Sequence, residues 1–593
     1  MLLALLSGRG EDNLSAYDPI KQDVSPVTGL GDVDNAWRAE GASILVKQDS
    51  ALWLATVHAD LTVTKSKVLQ LGDVKESDAC WVPGVGVCVF TLEDRNPPLN
   101  DEAPIIYPPP PRPLLIRYFH PALGWRDVGQ VPETSEDLHA SPNGTRCAFR
   151  VMTNLIPEEA ERGEIWVGEW VRSGADDLGQ GRVGQVTNNA GRVGTVRLSE
   201  DGSSIAFNAN YSLDRPITTH CPVWSVAWPP ATSLDSPLPT DAAKTTPSSR
   251  PPGSDALDFG FVDGAVWISH VVGVNVVTEV CGSGELPHAA TSGPIIKLEE
   301  ALAYCSETLT SYPYLVYGAN TTALPQRTEW DDVHGKVVEW AAPDGTKLQG
   351  TFFQKTGAAG PLLVHAHGGP AISIPALRSV GAGANRYPYR HLLSAGYKIF
   401  TPYFRGTLGF GDEFAQANIR SQGDMSSDLG DILSGIDHLV SLGDASPKPI
   451  GIFGGSYGGY MTLRALACAS DRFTAGVAMY GFVHGRMMTL EGGDFTWEEE
   501  YVEKLKWPYT DSAASSDVFQ YLGNINSPTL LLHGADDDIC PISQSFIALR
   551  ALQERGVPTG LVSYPGEGHG FDKDPNRQDR DRRTLLWFQQ HLN

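Results

Sequence analysis

The stretch "GIFGGSYGGYM", residues 451–461, places five glycines around Ser456 directly after an apolar run. Glycine costs about 1 kcal/mol relative to alanine in a helix interior, so neither a helix nor a strand explains the cluster. A sharp strand-to-helix turn explains it, because such a turn strains the serine backbone and leaves no space for neighbouring side chains. "PIGIF" before the turn predicts a buried strand, and "YMTLRALACAS" after it predicts a helix. Ser456 is therefore predicted to present its hydroxyl at the carboxyl end of a strand.

From about residue 330 the chain alternates between strand-like and helix-like segments. "VVEWAAPDGTKLQGTFF" predicts a hairpin that turns at Asp344-Gly345. Near-continuous apolar strands alternating with helices indicate a mostly parallel, doubly wound sheet with both faces covered. The strands are predicted in "PLLVHAHG", "YKIFTPYF", "PIGIFGG", "TAGVAMYG", "PTLLLHG" and "GLVSYPG", and the helices over 425–442, 457–470, 543–555 and 582–592.

Residues 30–330 have a different rhythm, with short β-like runs broken by Gly, Pro, Asn and Asp. "SPNGTRCAF" at 141–149 and "EIWVGEW" at 164–170 recur 58 residues later as "SEDGSSIAF" and "PVWSVAW". Trp53 and Trp267 lie in two further strands with the same signature. Repeats of a turn and a Trp-bearing strand are typical of β-propeller blades, and 26–330 would hold about seven. A pair of β-sandwiches is the alternative. The Pro-rich stretches 97–113 and 229–255 are predicted to be exposed loops, although the first also fits a polyproline ligand.

Composition and charge narrow the range of functions. The chain has 593 residues, too many for one core, and 45 Lys and Arg against 70 Asp and Glu give a net charge of −25. This charge repels phosphate backbones and anionic membranes, so neither nucleic acid nor a membrane is an expected partner. The N-terminus lacks the basic region of a secretory signal, and eight scattered cysteines form no C-x-x-C pair. A cytoplasmic protein is predicted.

A serine hydroxyl needs a nearby base, and that base needs an orienting carboxylate. In a sheet of this kind the acid and then the histidine follow the serine, each on a loop after a later strand. After "PTLLLHG" come Asp536, Asp537 and Asp538, and after "GLVSYPG" comes His569 between glycines. His569 is the predicted base, while order and position fix the acidic loop without choosing among its three aspartates. An acidic run is also typical of a solvated turn.

A tetrahedral oxyanion would need two backbone donors. One follows Ser456 in the chain, and "HAHGGP" at 365–370 fits the other, because its glycines let a backbone N–H approach a substrate oxygen. His365 and His367 could be misread as metal ligands, but no third ligand stands at a suitable spacing. No P-loop and no complete G-x-G-x-x-G occurs, so neither a metal nor another cofactor is predicted.

These motifs resemble the prolyl oligopeptidase family of serine peptidases, especially its acylaminoacyl-peptidase and dipeptidyl-peptidase branches. The resemblance covers about 337–593. It implies an α/β-hydrolase domain over 331–593 capped by a β-propeller over 26–330, with residues 1–25 packing on the hydrolase. The family's H-G-x-x-D pattern selects Asp537, and the implied oxyanion donors are the N–H groups of Tyr457 and Gly369. The motifs that carry the resemblance are "HGGP" at 367–370, "YFRGTLGFGDEF" at 403–414, "GGSYGGYM" at 454–461, "HGADDDICP" at 533–541 and "GEGHGF" at 566–571.

This sequence departs from the family at Cys540, where Val is usual, and a small apolar filler is the expected role. The predicted activity is hydrolysis of short, N-acylated or free peptides through an acyl-enzyme, with access filtered by the propeller. Two alternatives are an esterase, thioesterase or acyltransferase acting on small molecules with the same triad, and a non-catalytic scaffold. The expected partner is a short peptide or small acyl substrate, and a homo-oligomer is compatible with the sequence.

Overall fold

The computed structural model describes the strands at 2–5, 14–18 and 23–26 and most of the chain from residue 35 onward. The remaining gaps are 39–42, 49, 59–62, 72–73, 75, 83–84, 94–112, 133, 153–162, 172–178, 188–191, 211–221, 229–255, 299, 324–331, 379–386, 420–426, 493–517 and 593. The Pro-rich stretches 97–113 and 229–255 lie outside the described residues, apart from Pro113.

The N-terminal half is a β-propeller, as the repeats predicted, and not a pair of sandwiches. Six antiparallel sheets follow one another, and in each the neighbouring strands are consecutive in sequence. The first three blades are β4–β7 (Asn35–Arg38, Ser43–Gln48, Ala51–Val57, Val63–Gln70), β8–β11 (Glu76–Val82, Gly86–Glu93, Leu114–His120, Gly124–Val131) and β12–β15 (Ser135–Ala140, Arg146–Met152, Gly163–Val171, Gln180–Gln185). The next three are β16–β18 (Arg192–Leu198, Ser204–Asn210, Val223–Ala227), β19–β22 (Ala256–Val262, Ala265–Val272, Asn275–Val280, Gly284–Glu285) and β23–β26 (Ser292–Leu298, Ala301–Ser306, Tyr314–Tyr317, Asn320–Ala323).

The 58-residue repeat occupies equivalent places in the third and fourth blades. Its turns precede β13 and β17, and its Trp-bearing segments coincide with β14 and β18. The two turns also touch, because the Asn143 side chain donates to the Asp201 carbonyl at 3.0 Å and Arg146 donates to the Gly202 carbonyl at 2.5 Å. Trp267 departs from the pattern, since it lies in the second strand of its blade while Trp53 lies in the third.

Three strands precede the six blades: β1 (Leu2–Leu5), β2 (Leu14–Asp18) and β3 (Asp23–Pro26), which pair in antiparallel order. Strand β3 lies beside β26 of the sixth blade. Six blades thus run from Asn35 to Ala323, against about seven predicted, and a seventh blade remains a prediction. Packing of residues 1–25 on the hydrolase also remains a prediction.

The C-terminal half is an α/β-hydrolase domain built on one eight-stranded sheet. The strand order is β27-β28-β30-β29-β31-β32-β33-β34, and every pair from β30 onward is parallel. The predicted hairpin at Asp344-Gly345 joins the first two strands, with Gly345 at a φ of 90°. The strands are β27 (Val333–Ala341), β28 (Lys347–Lys355), β29 (Leu362–Ala366), β30 (Lys398–Tyr403), β31 (Ile450–Gly455), β32 (Ala475–Met479), β33 (Thr529–Gly534) and β34 (Thr559–Tyr564).

Helices cover both faces of this sheet, as its continuous apolar strands predicted. Val364 and Ile452 belong to the core on one face, while their neighbours Leu363 and Phe453 belong to the core on the other. The predicted domain boundary at residues 330–331 falls between β26 and β27. The helices are α1 (Tyr389–Ser394), α2 (Asp412–Gln416), α3 (Asp428–Ser441), α4 (Tyr457–Cys468), α5 (Gly485–Glu491), α6 (Ser543–Glu554) and α7 (Asp574–Leu592), with a 3₁₀ helix at Val518–Asn524.

Candidate active site

Ser456 lies at the turn between β31 and α4, and its backbone is strained as predicted, with a φ of 60° and a ψ of −127°. The surrounding glycines allow close backbone contacts. A Cβ at Gly454 would lie 2.3 Å from the Ala366 carbonyl oxygen, and one at Gly458 would lie 2.1 Å from the same atom. Both distances are far below contact, so only glycine lets β31 and α4 approach the end of β29 this closely.

The structure brings Ser456, His569 and Asp537 together although they are far apart in sequence. His569 Nε2 lies 2.9 Å from Ser456 Oγ, and His569 Nδ1 lies 3.0 and 2.9 Å from the two carboxylate oxygens of Asp537. The Asp537 side chain is fully buried, whereas that of His569 is 17% exposed. A carboxylate on Nδ1 fixes the proton there, so Nε2 is left as an acceptor for the serine hydroxyl.

The acid loop after β33 distinguishes Asp537 from its two neighbours. The N–H groups of Ile539 and Cys540 donate to Asp537 Oδ1 at 3.0 and 2.9 Å, and His533 Nε2 lies 3.3 Å from Oδ2. Burial raises the pKa of Asp537, but the hydrogen bonds from His533 and His569, the charge of His569 and the Cys540 amide outweigh it and lower that pKa to about 2. Asp537 is therefore an anion throughout the neutral range.

The loop after β29 carries the predicted oxyanion glycines and lies directly against the elbow. A Cβ on Gly368 would be 2.9 Å from the Gly455 carbonyl oxygen and 3.3 Å from Ser456 Cβ. Gly369 has a φ of 106°, a conformation that glycine adopts without strain. The Tyr457 amide is at the start of α4, where N–H groups face developing negative charge. Tyr457 thus follows Ser456 directly, and Gly369 follows the glycine that packs on the elbow; their roles as oxyanion donors remain a prediction.

Beneath the elbow lies a buried polar cluster that the sequence analysis did not identify. The Tyr457 hydroxyl donates to Asp428 Oδ2 at 2.5 Å, and Arg464 forms an ion pair with Asp428 Oδ1 at 2.9 Å. Asp428 also accepts from the Leu429 amide at 2.8 Å. Both charged side chains are at most 3% exposed. This cluster anchors the side chain of the residue whose amide is a predicted oxyanion donor.

Tyr480 also borders the site and was not identified from the sequence. It follows β32, has a φ of 35°, and donates its N–H to the Leu532 carbonyl at 2.7 Å. Its ring stands edge-on to His569 with centroids 5.1 Å apart. Because β32 adjoins β31, the position at the end of "TAGVAMY" was the available signal: strand ends of one parallel sheet share an edge.

His365 and His367 both form hydrogen bonds within the hydrolase core. His365 Nδ1 lies 2.7 Å from the Tyr389 hydroxyl, and His367 Nε2 lies 2.9 Å from Thr407 Oγ1. Within the described part of the chain, no three His, Cys, Asp or Glu side chains are grouped to hold a metal ion. None of the helices described there has both the length and the apolarity to cross a membrane. Cys540 is buried, with its Sγ 3.9 Å from Met488 Sδ, as expected for an apolar filler.

The propeller contacts two hydrolase loops beside the elbow. The turn after β20 bonds to both: Gly273 N–H donates to the Gly409 carbonyl and Val274 accepts from the Ala376 N–H, each at 2.7 Å. Arg378 lies over the Tyr312 ring at 4.3 Å. The loop that carries Gly369 therefore continues directly into the interface between the two domains.

Comparisons with known proteins agree with this geometry. Residues 387–593 match the model of the prolyl oligopeptidase family. An acylamino-acid-releasing enzyme of Oryza sativa subsp. japonica is 25% identical over 55% of this chain and 47% of its own length. Dipeptidyl aminopeptidase BIII of Pseudoxanthomonas mexicana is 30% identical over 38% of this chain and 32% of its own length. The chain thus spans less than half the length of these curated relatives.

Among solved structures, the acylaminoacyl peptidase of Pyrococcus horikoshii superposes with a TM-score of 0.75 at 18% identity, covering 98% of this chain and 93% of the other. At that identity the likeness concerns the fold, which the two proteins share across both domains. The family match, over residues 387–593, lies within the hydrolase domain and includes Ser456, Asp537 and His569. In this part of the hydrolase domain the chain is therefore similar to the prolyl oligopeptidase family.

Proposed function

We propose that this chain is a serine peptidase that cleaves short, N-acylated or free peptides through an acyl-enzyme intermediate. The observation that carries the proposal is the continuous hydrogen-bonded line from Ser456 Oγ through His569 to the buried Asp537, with distances of 2.9 Å at both ends. Such a line is what a nucleophile, a general base and an orienting acid require.

In the proposed mechanism Ser456 Oγ attacks the substrate carbonyl while His569 Nε2 takes its proton. The Asp537 carboxylate holds Nδ1–H and stabilises the imidazolium that forms. The N–H groups of Tyr457 and Gly369 donate hydrogen bonds to the tetrahedral oxyanion and stabilise its charge. His569 then returns the proton to the leaving amine, and water releases the acyl group by the same steps.

The propeller supports a limit on substrate size. Its fifth and sixth blades contact the loops around Ala376, Arg378 and Gly409, so that one side of the site adjoins the propeller. Relatives of both kinds, an acylamino-acid-releasing enzyme and a dipeptidyl aminopeptidase, act on chain ends according to their names. A short peptide with a blocked or free N-terminus is therefore the proposed substrate.

A panel of acyl-aminoacyl, dipeptidyl and p-nitrophenyl ester substrates, together with untargeted product analysis, tests the proposal. Ser456→Ala should lower kcat/KM by several orders of magnitude and abolish labelling by a fluorophosphonate, with the fold intact. Asp537→Asn should cost roughly three to four orders of magnitude, whereas the neighbouring Asp538→Asn is the matched control. Full activity of Ser456→Ala would refute the mechanism, and ester turnover without any peptide cleavage would refute the substrate class.

A further inference from the structure

His533 is a fully buried histidine at the end of β33, four residues before Asp537, and the proposed mechanism assigns it no step. Its ring makes three contacts. Nε2 lies 2.7 Å from the Cys540 carbonyl oxygen and 3.3 Å from Asp537 Oδ2, while Nδ1 lies 2.7 Å from Ser545 Oγ. Each contact is to the acid loop or to helix α6 directly behind it.

These contacts determine where the proton of the ring lies. A carbonyl oxygen can only accept, so the short contact to Cys540 requires a proton on Nε2. The same N–H points toward Asp537 Oδ2, and the Ser545 hydroxyl can donate to Nδ1. Among the described residues, Asp537 is the only charged group within ion-pair distance of His533. The ring is therefore a directed donor to the loop that carries the acid.

The acid loop closes on itself through the same residues. The Cys540 N–H donates to Asp537 Oδ1, and the Cys540 carbonyl accepts from His533. His533 thus holds the peptide unit that follows the donor amide, and it approaches the second carboxylate oxygen directly. Oδ1 is fixed by backbone amides, Oδ2 faces two imidazoles, and one of these is His569.

We propose that His533 is a positioning residue that sets the orientation and the basicity of Asp537, and through it the alignment of His569 with Ser456. This inference rests on the proposed serine-peptidase function. A carboxylate that rotates about its χ2 angle would lose its bond to His569 Nδ1, and the imidazole would no longer be held toward the serine. His533 opposes this rotation, because its Nε2 lies 3.3 Å from Oδ2, the oxygen that also lies 2.9 Å from His569 Nδ1.

His533→Met removes the donor at nearly constant volume, and His533→Gln places an amide N–H near the position of Nε2. His533→Met is expected to lower kcat/KM roughly tenfold to a hundredfold, the range for a lost hydrogen bond to a charged group, mainly through kcat. The acid limb of the pH profile should move to higher pH, because a carboxylate with fewer donors holds the imidazolium proton more tightly. His533→Gln should restore most of kcat/KM and most of the original position of the acid limb.

A double-mutant cycle separates positioning from general loosening of the core. If His533 acts through Asp537, His533→Met has no further effect on kcat/KM in a chain that already carries Asp537→Ala. His270→Met, which removes a buried imidazole from β20 of the propeller, is the matched control and should leave the acid limb unchanged. Additive losses of kcat/KM from His533→Met and Asp537→Ala would overturn the inference. The same shift of the acid limb in His270→Met would also overturn it.

A failure of the proposed role of His533 can be distinguished from a failure of the proposed serine-peptidase function. Inactive Ser456→Ala together with a His533→Met enzyme of unchanged kcat/KM and pH profile would overturn only the role of His533. If His533→Met gives no soluble protein, Ser545→Ala carries the test, since it removes the donor to Nδ1. A smaller shift of the acid limb in the same direction is expected there, and an unchanged profile would overturn the proposal.

Discussion

Acidification from pH 7 to about pH 4.5 should weaken the hydrolase domain by about 5 kcal/mol, because two buried histidines become protonated when it unfolds. Burial and the neighbouring His367 lower the pKa of His365 to about 3. Burial lowers the pKa of His367 to about 4, against a smaller opposing effect of the Gly368 carbonyl. Protonated His365 would also place an N–H on Nε2, which has no partner among the described residues.

The sign and size follow from comparing folded and unfolded chains. The pKa of histidine in the unfolded chain is 6.5, so below this pH the unfolded state binds more protons and the free energy of unfolding falls with pH. At about pH 4.5 each of the two histidines has reduced the free energy of unfolding by about 2.5 kcal/mol. This reduction ends only once the pH falls below the pKa values of the folded state. Asp537 adds little slope here, because the stabilisation from its lowered pKa disappears only below its unfolded pKa of 3.8.

Amide hydrogen exchange of β29, corrected for the intrinsic rate, measures this loss of stability in the hydrolase domain. It does not require that the whole chain unfolds in a two-state transition. Protection factors should fall by roughly four orders of magnitude between the two pH values. His365→Phe and His367→Gln should each remove about half of this dependence. His334→Gln, on the exposed side of β27, is the control and should leave it intact. If the protection factors depended equally steeply on pH in the wild type and all three variants, His365 and His367 would not be the cause of the pH dependence.

Three further substitutions test the elbow. Tyr457→Phe removes one donor from a buried carboxylate and should cost about 1–3 kcal/mol in denaturant unfolding. Asp428→Asn leaves Arg464 buried without its counterion and should cost about 3–5 kcal/mol by the same measurement, so a smaller loss than for Tyr457→Phe would contradict the ion-pair argument. Gly458→Ala places a Cβ against backbone and should abolish fluorophosphonate labelling, whereas Gly560→Ala, whose Cβ would meet only Leu530 Cδ1 at 4.0 Å, should keep it.

Local chemistry predicted the elbow, the acid loop and the base, while the resemblance to the family selected Asp537 among the three aspartates. Five glycines around Ser456, the H-G-x-x-D pattern ending at Asp537 and the glycines beside His569 each describe one strand-end loop. The Asp428–Arg464 pair escaped notice because nothing in "DLGD" or "TLRAL" marks a buried charge; only the fold brings the two side chains to 2.9 Å.

Helix α7 shows that contacts formed only in the folded chain also limit the prediction of secondary structure. It was predicted over 582–592 from apolar residues, but it begins at Asp574, eight residues earlier. The added turns are charged and lack an apolar stripe, and tertiary contacts stabilise them. The buried Glu567 carboxylate accepts from the amides of Asp572 and Lys573 at 2.9 and 3.1 Å, just before the helix begins. Within the helix, Phe588 is buried, whereas Leu586 is 48% exposed because residues two positions apart do not share a helix face.

The distances in the triad depend on the register of a few strand pairs. Gly455 pairs with Met479, Met479 with Leu532, and Gly534 with Tyr564, so the ends of β31 to β34 are aligned at one edge. A slip of one residue would move a loop by about 3.3 Å and turn every side chain of that strand to the other face. That displacement exceeds the 2.9 Å between Ser456 Oγ and His569 Nε2. The apolar alternation that places Leu363 and Val364 in opposite cores therefore does more than stabilise the sheet: by fixing register, the same kind of packing in β31 to β34 holds the three reacting side chains within hydrogen-bond distance.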